Sequence, residues 1–245
     1  SRADYWDALD VAIDADRALH GKKPLKEKER EPEVKETKVS RTDPESGYMV
    51  RDGKPKGFFY LDHRTVDSRH AIITDSFVTP ANVHDSIVYL GRLDRQRERF
   101  GLDVQAVGLD AGYATAGIAK GLEDRAVIGV TGYRNPTPPR PGMMRKRAFV
   151  YQSEADSYRC PEGQYLAYAT TDRSGYRHYK SDPARCRTCP LLASCTTNAK
   201  AERTITRHVW QDARERTDAN RLTAWGKAIY KRRKETVERS FADAK

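Results

Sequence analysis

The stretch from Val104 to Tyr113, VQAVGLDAGY, constrains the fold of this chain more than any other. It is a short apolar run that ends on Asp110 and continues at once into the small residues Ala111 and Gly112. A hydrophobic strand with an acid at its carboxyl end, followed by a small-residue turn into a helix, is how open α/β sheets present reactive groups. The stretch therefore predicts an α/β fold in which Asp110 is a candidate reactive carboxylate.

The segments around this stretch predict a mixed sheet flanked by helices. The predicted elements are a β-hairpin of Phe58–Val66 and His70–Val78, a helix from Asp85 or Ser86 to Gly101, a helix from Thr115 to about Arg125, and a strand over Ala126–Val130. Asp85 is most simply the N-cap of its helix. An antiparallel hairpin followed by strand–helix–strand units gives a mixed sheet.

The flanking segments predict four parts. Residues 1–20 have apolar positions at helical spacing, and the next twenty are nearly all Lys, Glu and Pro, too polar to be buried. The proline-rich NPTPPRPG opens a segment of short, tyrosine-rich strands, and a basic helical tract runs from about Gln211 to Lys245. The predicted parts are an N-terminal helix and charged linker (1–57), a core (58–133), a cysteine-rich insertion (134–205), and a basic C-terminal region that completes the core (206–245).

The charge distribution favours a polyanionic partner, most simply nucleic acid. The formal net charge is +10, which general solubility would also explain. Residues 203–239 hold eleven Lys and Arg against five Asp and Glu, and residues 134–147 hold five basic residues and no acid. No apolar run approaches the roughly 18 residues that span a bilayer, and the acidic N-terminus has no signal-peptide pattern. We therefore expect a soluble, intracellular protein with no membrane partner.

Four clustered cysteines predict a structural metal site: Cys160, Cys186, Cys189 and Cys195. Cys186 and Cys189 form a C-x-x-C pair, and tetrahedral Zn²⁺ is commonly bound by such a pair together with two thiolates from nearby segments. Four thiolates leave no open position, so the site would stabilise a small polar insertion rather than catalyse a reaction. An iron–sulfur cluster needs the same ligands, and four unrelated free thiols are the other alternative. Isolated His178 and His208 are left out of the site.

The C-terminal tract WGKAIYKRRKETVERSFADAK contains a second candidate acid, Glu238. Glu238 adjoins an apolar stripe and stands amid five bases, and Lys245 follows seven residues later on the same helical face. The five bases are Lys231, Arg232, Arg233, Lys234 and Arg239. One interpretation is an ion pair between Lys234 and Glu238. The other is an acid that holds a divalent cation while the surrounding bases hold phosphates.

With both acids in view, the chain resembles an insertion-sequence transposase of the DDE type, in the subgroup with a cysteine-rich insertion before the last catalytic helix. The segments that carry the resemblance, in order, are TDPESGYM, GFFYLDHRTVDSRHAIITDSFVTPANVHDS, VGLDAGYATAGI, the cysteine insertion with its YRCPEGQ lead, and RHVW followed by YKRRKETVERSFADAK. The resemblance implies an RNase H-like mixed sheet flanked by helices, with a small, β-rich, zinc-ribbon-like insertion.

The resemblance also implies residue roles. Asp110 matches the second catalytic aspartate of the family and Glu238 matches its glutamate, and the two would hold Mg²⁺ or Mn²⁺. The family signature Tyr-x2-Arg-x3-Glu-x6-Lys is kept at Tyr230 and Arg233 and again at Glu238 and Lys245, although Arg233 is one residue too far from Glu238. The residues expected to contact DNA are Tyr230, Arg233, Lys234, Arg239 and Lys245. The implied partners are transposon-end and target DNA and, at full length, a second copy in a homodimer, in the cytoplasm at the nucleoid.

The chain departs from the family at the first aspartate, which lies on a strand upstream of a helix like residues 3–20. The aspartates before the central stretch do not match: Asp10 and Asp14 are helical, Asp43 is in a turn, and Asp62 and Asp75 lie within the hairpin. We therefore expect a fragment, cut before the first aspartate and after Lys245, that is inactive alone. One alternative is a non-catalytic, zinc-stabilised nucleic-acid-binding remnant. The other is another RNase H-like nuclease, and the long cysteine insertion between the acids argues against this second alternative.

Overall fold

The computed structural model describes residues 2–26, 36–51, 53, 55–133, 136 and 140–243. The chain divides into two compact units. The first unit comprises Ser1–Arg2, Lys28–Arg134 and Asp212–Lys245, and the second comprises Ala3–Glu27 and Asn135–Gln211. The N-terminal helix thus belongs to the unit that contains the cysteines. The four-part division expected from the sequence stays a prediction.

The described elements are helices and mostly short strands, several of which follow one another in runs. The helices are α1 (Arg2–Leu19), α2 (Asp85–Phe100), α3 (Ala116–Glu123), α4 (Pro183–Cys186), α5 (Leu192–Cys195), α6 (Gln211–Leu222), α7 (Ala224–Arg232) and α8 (Val237–Ala242). The strands are β1 (Gly47–Met49), β2 (Gly57–Val66), β3 (Ile73–Pro80), β4 (Ala106–Leu109), β5 (Ile128–Thr131), β6 (Val150–Gln152), β7 (Ser157–Arg159), β8 (Tyr165–Thr171), β9 (Tyr176–Lys180) and β10 (Thr204–His208). Within the described part of the chain, no helix has the length and apolar content needed to span a bilayer.

The first unit contains an antiparallel sheet and a separate parallel pair. β2 and β3 form the predicted hairpin, and β1 pairs antiparallel with the start of β2. β4 and β5 pair in parallel, joined by α3. The prediction of one mixed sheet is wrong for the described residues, because none of their strands joins β2 to β4. The RNase H-like classification stays a prediction, and a mixed α/β architecture is what the structure supports.

Strand β4 is held by the core of the first unit. Leu93 of α2, Leu109 of β4, Ile118 and Leu122 of α3, and Val127 are buried together. Burial of side chains of this size stabilises a fold by about 1.5–3 kcal/mol each, which fixes where β4 ends. The core therefore determines the position of the residue after Leu109, which is Asp110.

The predicted basic helical tract consists of three helices, α6, α7 and α8, separated by two breaks. The first break lies at Thr223, whose hydroxyl accepts a hydrogen bond from Gly226 N–H at 2.9 Å. A Cβ on Gly226 would lie 2.0 Å from the carbonyl oxygen of Asn220, so only glycine permits this approach. The second break separates α7 from α8, and there Glu238 N–H bonds the carbonyl of Arg233 at 3.0 Å, five residues back. This wide turn accommodates the extra residue between Arg233 and Glu238.

The second unit is a five-stranded antiparallel sheet in the order β10-β9-β8-β7-β6. Its core consists of Phe149, Tyr158, Leu166, Tyr179 and Ile205. Helix α1 belongs to this unit and buries Leu9 and Ile13 completely or nearly so. Gly175 has a φ of +79°, and a Cβ there would lie 2.7 Å from Leu9 Cδ1. Glycine at 175 thus satisfies both a left-handed backbone and the approach of α1.

Buried His208 predicts an acid-sensitive second unit. Burial lowers its pKa from the ordinary 6.5 to about 4, and its Nδ1 accepts a hydrogen bond from Trp210 N–H at 3.1 Å. As the pH falls, the His208 imidazole is protonated in the unfolded chain at a higher pH than in the folded chain. The free energy of unfolding is therefore expected to fall as the pH drops from 6.5 to 4, by up to about 3 kcal/mol. The measurement is the free energy of unfolding at pH 7 and at pH 4.5, for the wild type and for His208→Gln. An equal loss in both proteins would show that His208 is not the sensitive group.

Candidate active site

Asp110 lies at the carboxyl end of β4, where the sequence predicted it. Its backbone is extended (φ −74°, ψ 176°), and it caps a short 3₁₀ turn over Ala111–Tyr113. Its Oδ1 accepts a hydrogen bond from Gly112 N–H at 2.7 Å. Among the described residues, none donates a hydrogen bond to Oδ2. The turn therefore orients the carboxylate and leaves one oxygen for a ligand.

Asp85 faces the same turn, and its predicted role as a helix N-cap is wrong. The N-cap of α2 is His84, whose Nδ1 accepts from Ser86 N–H at 3.2 Å. Two carboxylate oxygens lie close to the point where a Cβ on Gly112 would be: Asp110 Oδ1 at 3.0 Å and Asp85 Oδ2 at 3.6 Å. The distance between the two oxygens is therefore no larger than the sum of these two distances. Sequence reasoning missed this residue because an acid in the first turn of a helix is already explained by the helix dipole.

His63 of β2 lies beside the Asp85 carboxylate. Its Nε2 and the hydroxyl of buried Thr79 lie 2.7 Å apart, and this hydrogen bond fixes the imidazole ring. The other ring nitrogen, Nδ1, is 3.6 Å from Asp85 Oδ1. The hairpin thus contributes a positioned histidine to the edge of the acid pair.

Tyr113 forms one wall beside the two acids. Burial raises the pKa of its phenol, and the negative charges of Asp85 and Asp110 raise it further. Its ring packs edge-to-face against Tyr89 of α2, with the centroids 5.1 Å apart. The phenol therefore stays protonated at neutral pH. The phenol lies close enough to Asp85 and Asp110 for both charges to act on its pKa.

Glu238 is positioned differently from Asp110. It lies in the first turn of α8 with its side chain half exposed, and its Oε1 is 3.7 Å from Arg233 Nη1. Within the described residues its ion pair is with Arg233 rather than with Lys234. Arg233 itself packs against β4, since its Cγ is 3.5 Å from where a Cβ on Gly108 would lie. Arg233 is therefore the link between Glu238 and the Asp110 strand, and a cation shared by the two acids stays a prediction.

The predicted DNA-contacting residues fall into two groups. Tyr230 and Arg233 lie against the β4–β5 pair. The Tyr230 hydroxyl is 2.6 Å from the point where a Cβ on Gly132 would lie. The Arg233 guanidinium is 5.2 Å from the centroid of the Tyr230 ring. Lys234 and Arg239 are exposed. Lys245 lies outside the described residues. The exposed side chains of Lys234 and Arg239 are accessible to a phosphate backbone. Tyr230 and Arg233 instead pack against the strand pair that ends at Asp110.

The four cysteines line one cavity of about 170 Å³ in the second unit. Gln164 N–H lies 3.3 Å from Cys160 Sγ, and Cys189 N–H bonds the carbonyl of Cys186 at 3.1 Å, which forms the tight C-x-x-C turn. Burial raises the pKa of the Cys195 thiol, and the other three cysteines raise it as well, whereas Arg203 lowers it. Throughout the described part of the chain, however, no group of three or more His, Cys, Asp or Glu side chains has metal-binding geometry.

Comparison with known protein families agrees with the resemblance stated from the sequence. A family described as "Transposase DDE domain" matches residues 159–245, a little over a third of the chain. A comparison with curated proteins gave no match, and neither did a comparison with solved structures. The family match agrees with the resemblance to insertion-sequence DDE transposases and, over residues 159–245, supports DNA transposition as the process.

The match covers only part of the candidate site. It includes the four cysteines, Tyr230, Arg233 and Glu238, and it excludes Asp110, Asp85 and His63. The roles of the last three therefore depend on their position at the end of β4 and on their mutual contacts.

Proposed function

We propose that this chain carries part of the active site of a DDE transposase that cleaves DNA phosphodiesters and transfers strand ends. The observation that supports this most is the position of Asp110. It is a partly buried carboxylate at the end of a parallel strand, oriented by Gly112 N–H and facing Asp85. The family match to the segment with Glu238 adds the enzyme class, polynucleotidyl transfer.

The acids are of the ligand type that a hard divalent cation prefers, but Asp85, Asp110 and Glu238 would have to move closer together to hold one, since the described residues contain no group of three with metal-binding geometry. Mg²⁺ and Mn²⁺ prefer carboxylate oxygens, and Asp110 and Asp85 place such oxygens near each other. Asp110 and Glu238 would hold the ions, with Asp85 as an added candidate ligand. Bound divalent cations supply Lewis-acid activation of water or a 3′-hydroxyl and stabilise charge on the phosphodiester.

The chain's own residues position these groups and the DNA. Gly112 N–H holds Asp110, and His63, fixed by Thr79, faces Asp85. Four exposed bases on or beside α7 and α8 would bind backbone phosphates without reading sequence: Lys231, Arg232, Lys234 and Arg239. Transposon-end and target DNA and a homodimer of the full-length protein remain predictions of the resemblance, as does a location at the nucleoid.

We expect this chain alone to show no turnover, because no described strand supplies a third acid at the end of a neighbouring strand. The measurement is nicking and strand transfer on supercoiled plasmid and on oligonucleotide duplexes, with Mg²⁺ and with Mn²⁺. The control is Asp110→Ala, assayed in parallel. Metal-dependent turnover by the chain that disappears in Asp110→Ala would refute the prediction of inactivity.

The placement of Glu238 favours a second candidate function, a non-catalytic nucleic-acid-binding remnant. Its carboxylate is half exposed and paired with Arg233. In that case, duplex affinity would be the same in Asp110→Ala, Glu238→Ala and the wild type, and Mn²⁺ would not bind at these acids. DDE chemistry predicts instead that Mn²⁺ binds and that Asp110→Ala removes it.

We further propose that the cysteine cavity holds one structural Zn²⁺, because its four thiols line a single small space. The thiols would have to move closer together to ligate it, since their present arrangement lacks metal-binding geometry. We expect one equivalent of Zn²⁺ after purification by metal analysis, and its loss in Cys186→Ser. The control is Ser181→Ala, which removes only the hydroxyl 3.3 Å from Cys186 Sγ. A folded wild type that contains no metal and binds no added Zn²⁺ would exclude the site. Iron in the metal analysis would instead identify an iron–sulfur cluster.

A further inference from the structure

The chain emerges from the core of the first unit at Tyr133, just beyond strand β5. Val130 is completely buried and Thr131 is 1% exposed, whereas Tyr133 is 58% exposed. β4 and β5 are parallel, with Leu109 opposite Thr131, so the two strands end at the same edge. In α/β sheets, ligands bind beyond the carboxyl ends of the strands. Tyr133 is therefore an exposed aromatic side chain at the edge that carries Asp110.

The backbone just before Tyr133 touches the turn that follows Asp110. A Cβ on Gly132 would lie 2.9 Å from Ala111 N, and Ala111 directly follows Asp110. Gly132 N–H also donates a hydrogen bond to the carbonyl of Leu109 at 3.0 Å. Tyr133 and Asp110 thus stand on adjoining backbone segments, close enough for neighbouring nucleotides of one strand to contact both.

Helix α6 places a guanidinium over the Tyr133 ring. Asn220 Nδ2 donates a hydrogen bond to the carbonyl of Gly129 at 3.1 Å, which fixes the end of α6 against β5. The guanidinium carbon of the next residue, Arg221, is 5.3 Å from the centroid of the Tyr133 ring. A guanidinium at this distance is attracted to the π face and restricts the ring. The tyrosine is held in place while more than half of it faces solvent.

The Arg221 guanidinium has no counter-charge within the described part of the chain. Asp218, the acid one turn earlier on α6, pairs with Arg214 instead, with 3.8 Å between Oδ2 and Nε. Arg221 Nε is buried, and none of the described residues accepts a hydrogen bond from it. Buried donors in proteins are nearly always satisfied, so an exception calls for an explanation such as a ligand. The arginine therefore indicates that the ligand includes an anion.

An aromatic face beside an unpaired guanidinium matches an unpaired nucleotide. A nucleobase of any sequence can stack on the tyrosine ring, because every base has a π face. The adjoining phosphate supplies the anion, which a guanidinium binds through parallel hydrogen bonds. A base inside a duplex has both faces covered by its neighbours, so the ring fits a base that has left the stack.

We propose that Tyr133 and Arg221 bind one unpaired nucleotide next to the phosphodiester at Asp110, with its base on the Tyr133 ring and its phosphate on the Arg221 guanidinium. The inference rests on the proposed function, since cleavage of DNA leaves a 3′ end whose last nucleotides can separate from the complement. The pair selects a frayed or single-stranded end over a continuous duplex and holds it against Asp110. Both side chains are binding residues and take no part in the chemical step.

The experiment compares the affinities of the intact chain for two DNA duplexes that differ only in a short unpaired 3′ end. Fluorescence anisotropy at one fixed salt concentration measures both affinities. Tyr133→Leu is expected to weaken binding of the unpaired end about tenfold, because base stacking is lost, and to leave the blunt duplex within about twofold. Tyr133→Phe keeps the ring and is expected to bind like the wild type. Arg221→Gln is expected to weaken only the unpaired end, to a similar extent.

Two further measurements separate this subsite from general effects. Tyr165→Leu removes a tyrosine that is 59% exposed in the second unit, and it is expected to change neither affinity. A 2-aminopurine in the unpaired end reports stacking directly, because stacking quenches its fluorescence. The quenching is expected on binding to the wild type and to Tyr133→Phe, and to be absent with Tyr133→Leu.

Three outcomes would overturn the proposal. An equal loss of affinity for both duplexes in Tyr133→Leu would show that the tyrosine supports DNA binding as a whole. Unchanged affinity of Tyr133→Leu and Arg221→Gln for the unpaired end, while the wild type binds the blunt duplex, would remove the subsite and leave the proposed function standing. Failure of the wild type to bind either duplex would overturn the subsite and the proposed function together.

Discussion

Replacing Asp16 by alanine is expected to lower the free energy of unfolding of the second unit by about 3–5 kcal/mol. Asp16 of α1 is only 5% exposed, and Arg177 of β9 donates from Nε to its Oδ1 at 2.6 Å. The hydroxyl of Thr171, which is completely buried, donates to the other carboxylate oxygen at 2.5 Å. Removing the acid alone leaves a largely buried guanidinium without its counter-charge, which costs far more than a surface ion pair contributes.

The measurement is urea denaturation at pH 7 with the intact chain. Asp14→Ala removes an exposed acid from the same helix and is expected to change stability by less than about 0.5 kcal/mol. The double variant Asp16→Ala/Arg177→Met is expected to recover most of the loss, because no charge is then left buried and unpaired. A loss below about 1 kcal/mol in Asp16→Ala would show that the pair is solvated in solution.

Replacing Asp110 by asparagine is expected to weaken Mn²⁺ binding by about 100-fold, equivalent to about 2.7 kcal/mol. The asparagine oxygen can still accept from Gly112 N–H, so the turn is kept while the negative charge is lost. Free Mn²⁺ is measured by electron paramagnetic resonance during a titration. Glu98→Gln removes an exposed acid near the other end of α2 and is the matched control. Equal affinity of Asp110→Asn and the wild type would exclude Asp110 as a ligand.

The elements around Asp110 were predictable because their signals are local. The side chain of Thr115 caps α3 by accepting from Ile118 N–H, and Gly101 ends α2 at a φ of 61°. The hairpin runs of aromatic and β-branched residues form β2 and β3. Each of these features is determined by residues within a few positions of one another, so the pattern alone identifies them.

The features that sequence reasoning missed depend on contacts between distant segments. Asp85 became a site candidate only because β4 ends opposite the start of α2. The C-terminal tract keeps a helical pattern through Gly226, and its break comes from the close approach of the Asn220 carbonyl. The partner of α1 was also unpredictable, since apolar Leu9 and Ile13 show that the helix has a buried face but not that Gly175 lies beneath it.

We propose that Asp110 and Glu238, 128 positions apart in the sequence, bind one divalent cation. The test is a double-mutant cycle of Mn²⁺ affinities for the wild type, Asp110→Asn, Glu238→Gln and the double variant. If the acids share a cation, each single variant weakens binding and the double variant loses at least about 1 kcal/mol less than the sum of the two. If Glu238→Gln leaves the Mn²⁺ affinity unchanged whether residue 110 is Asp or Asn, the two acids do not form one site.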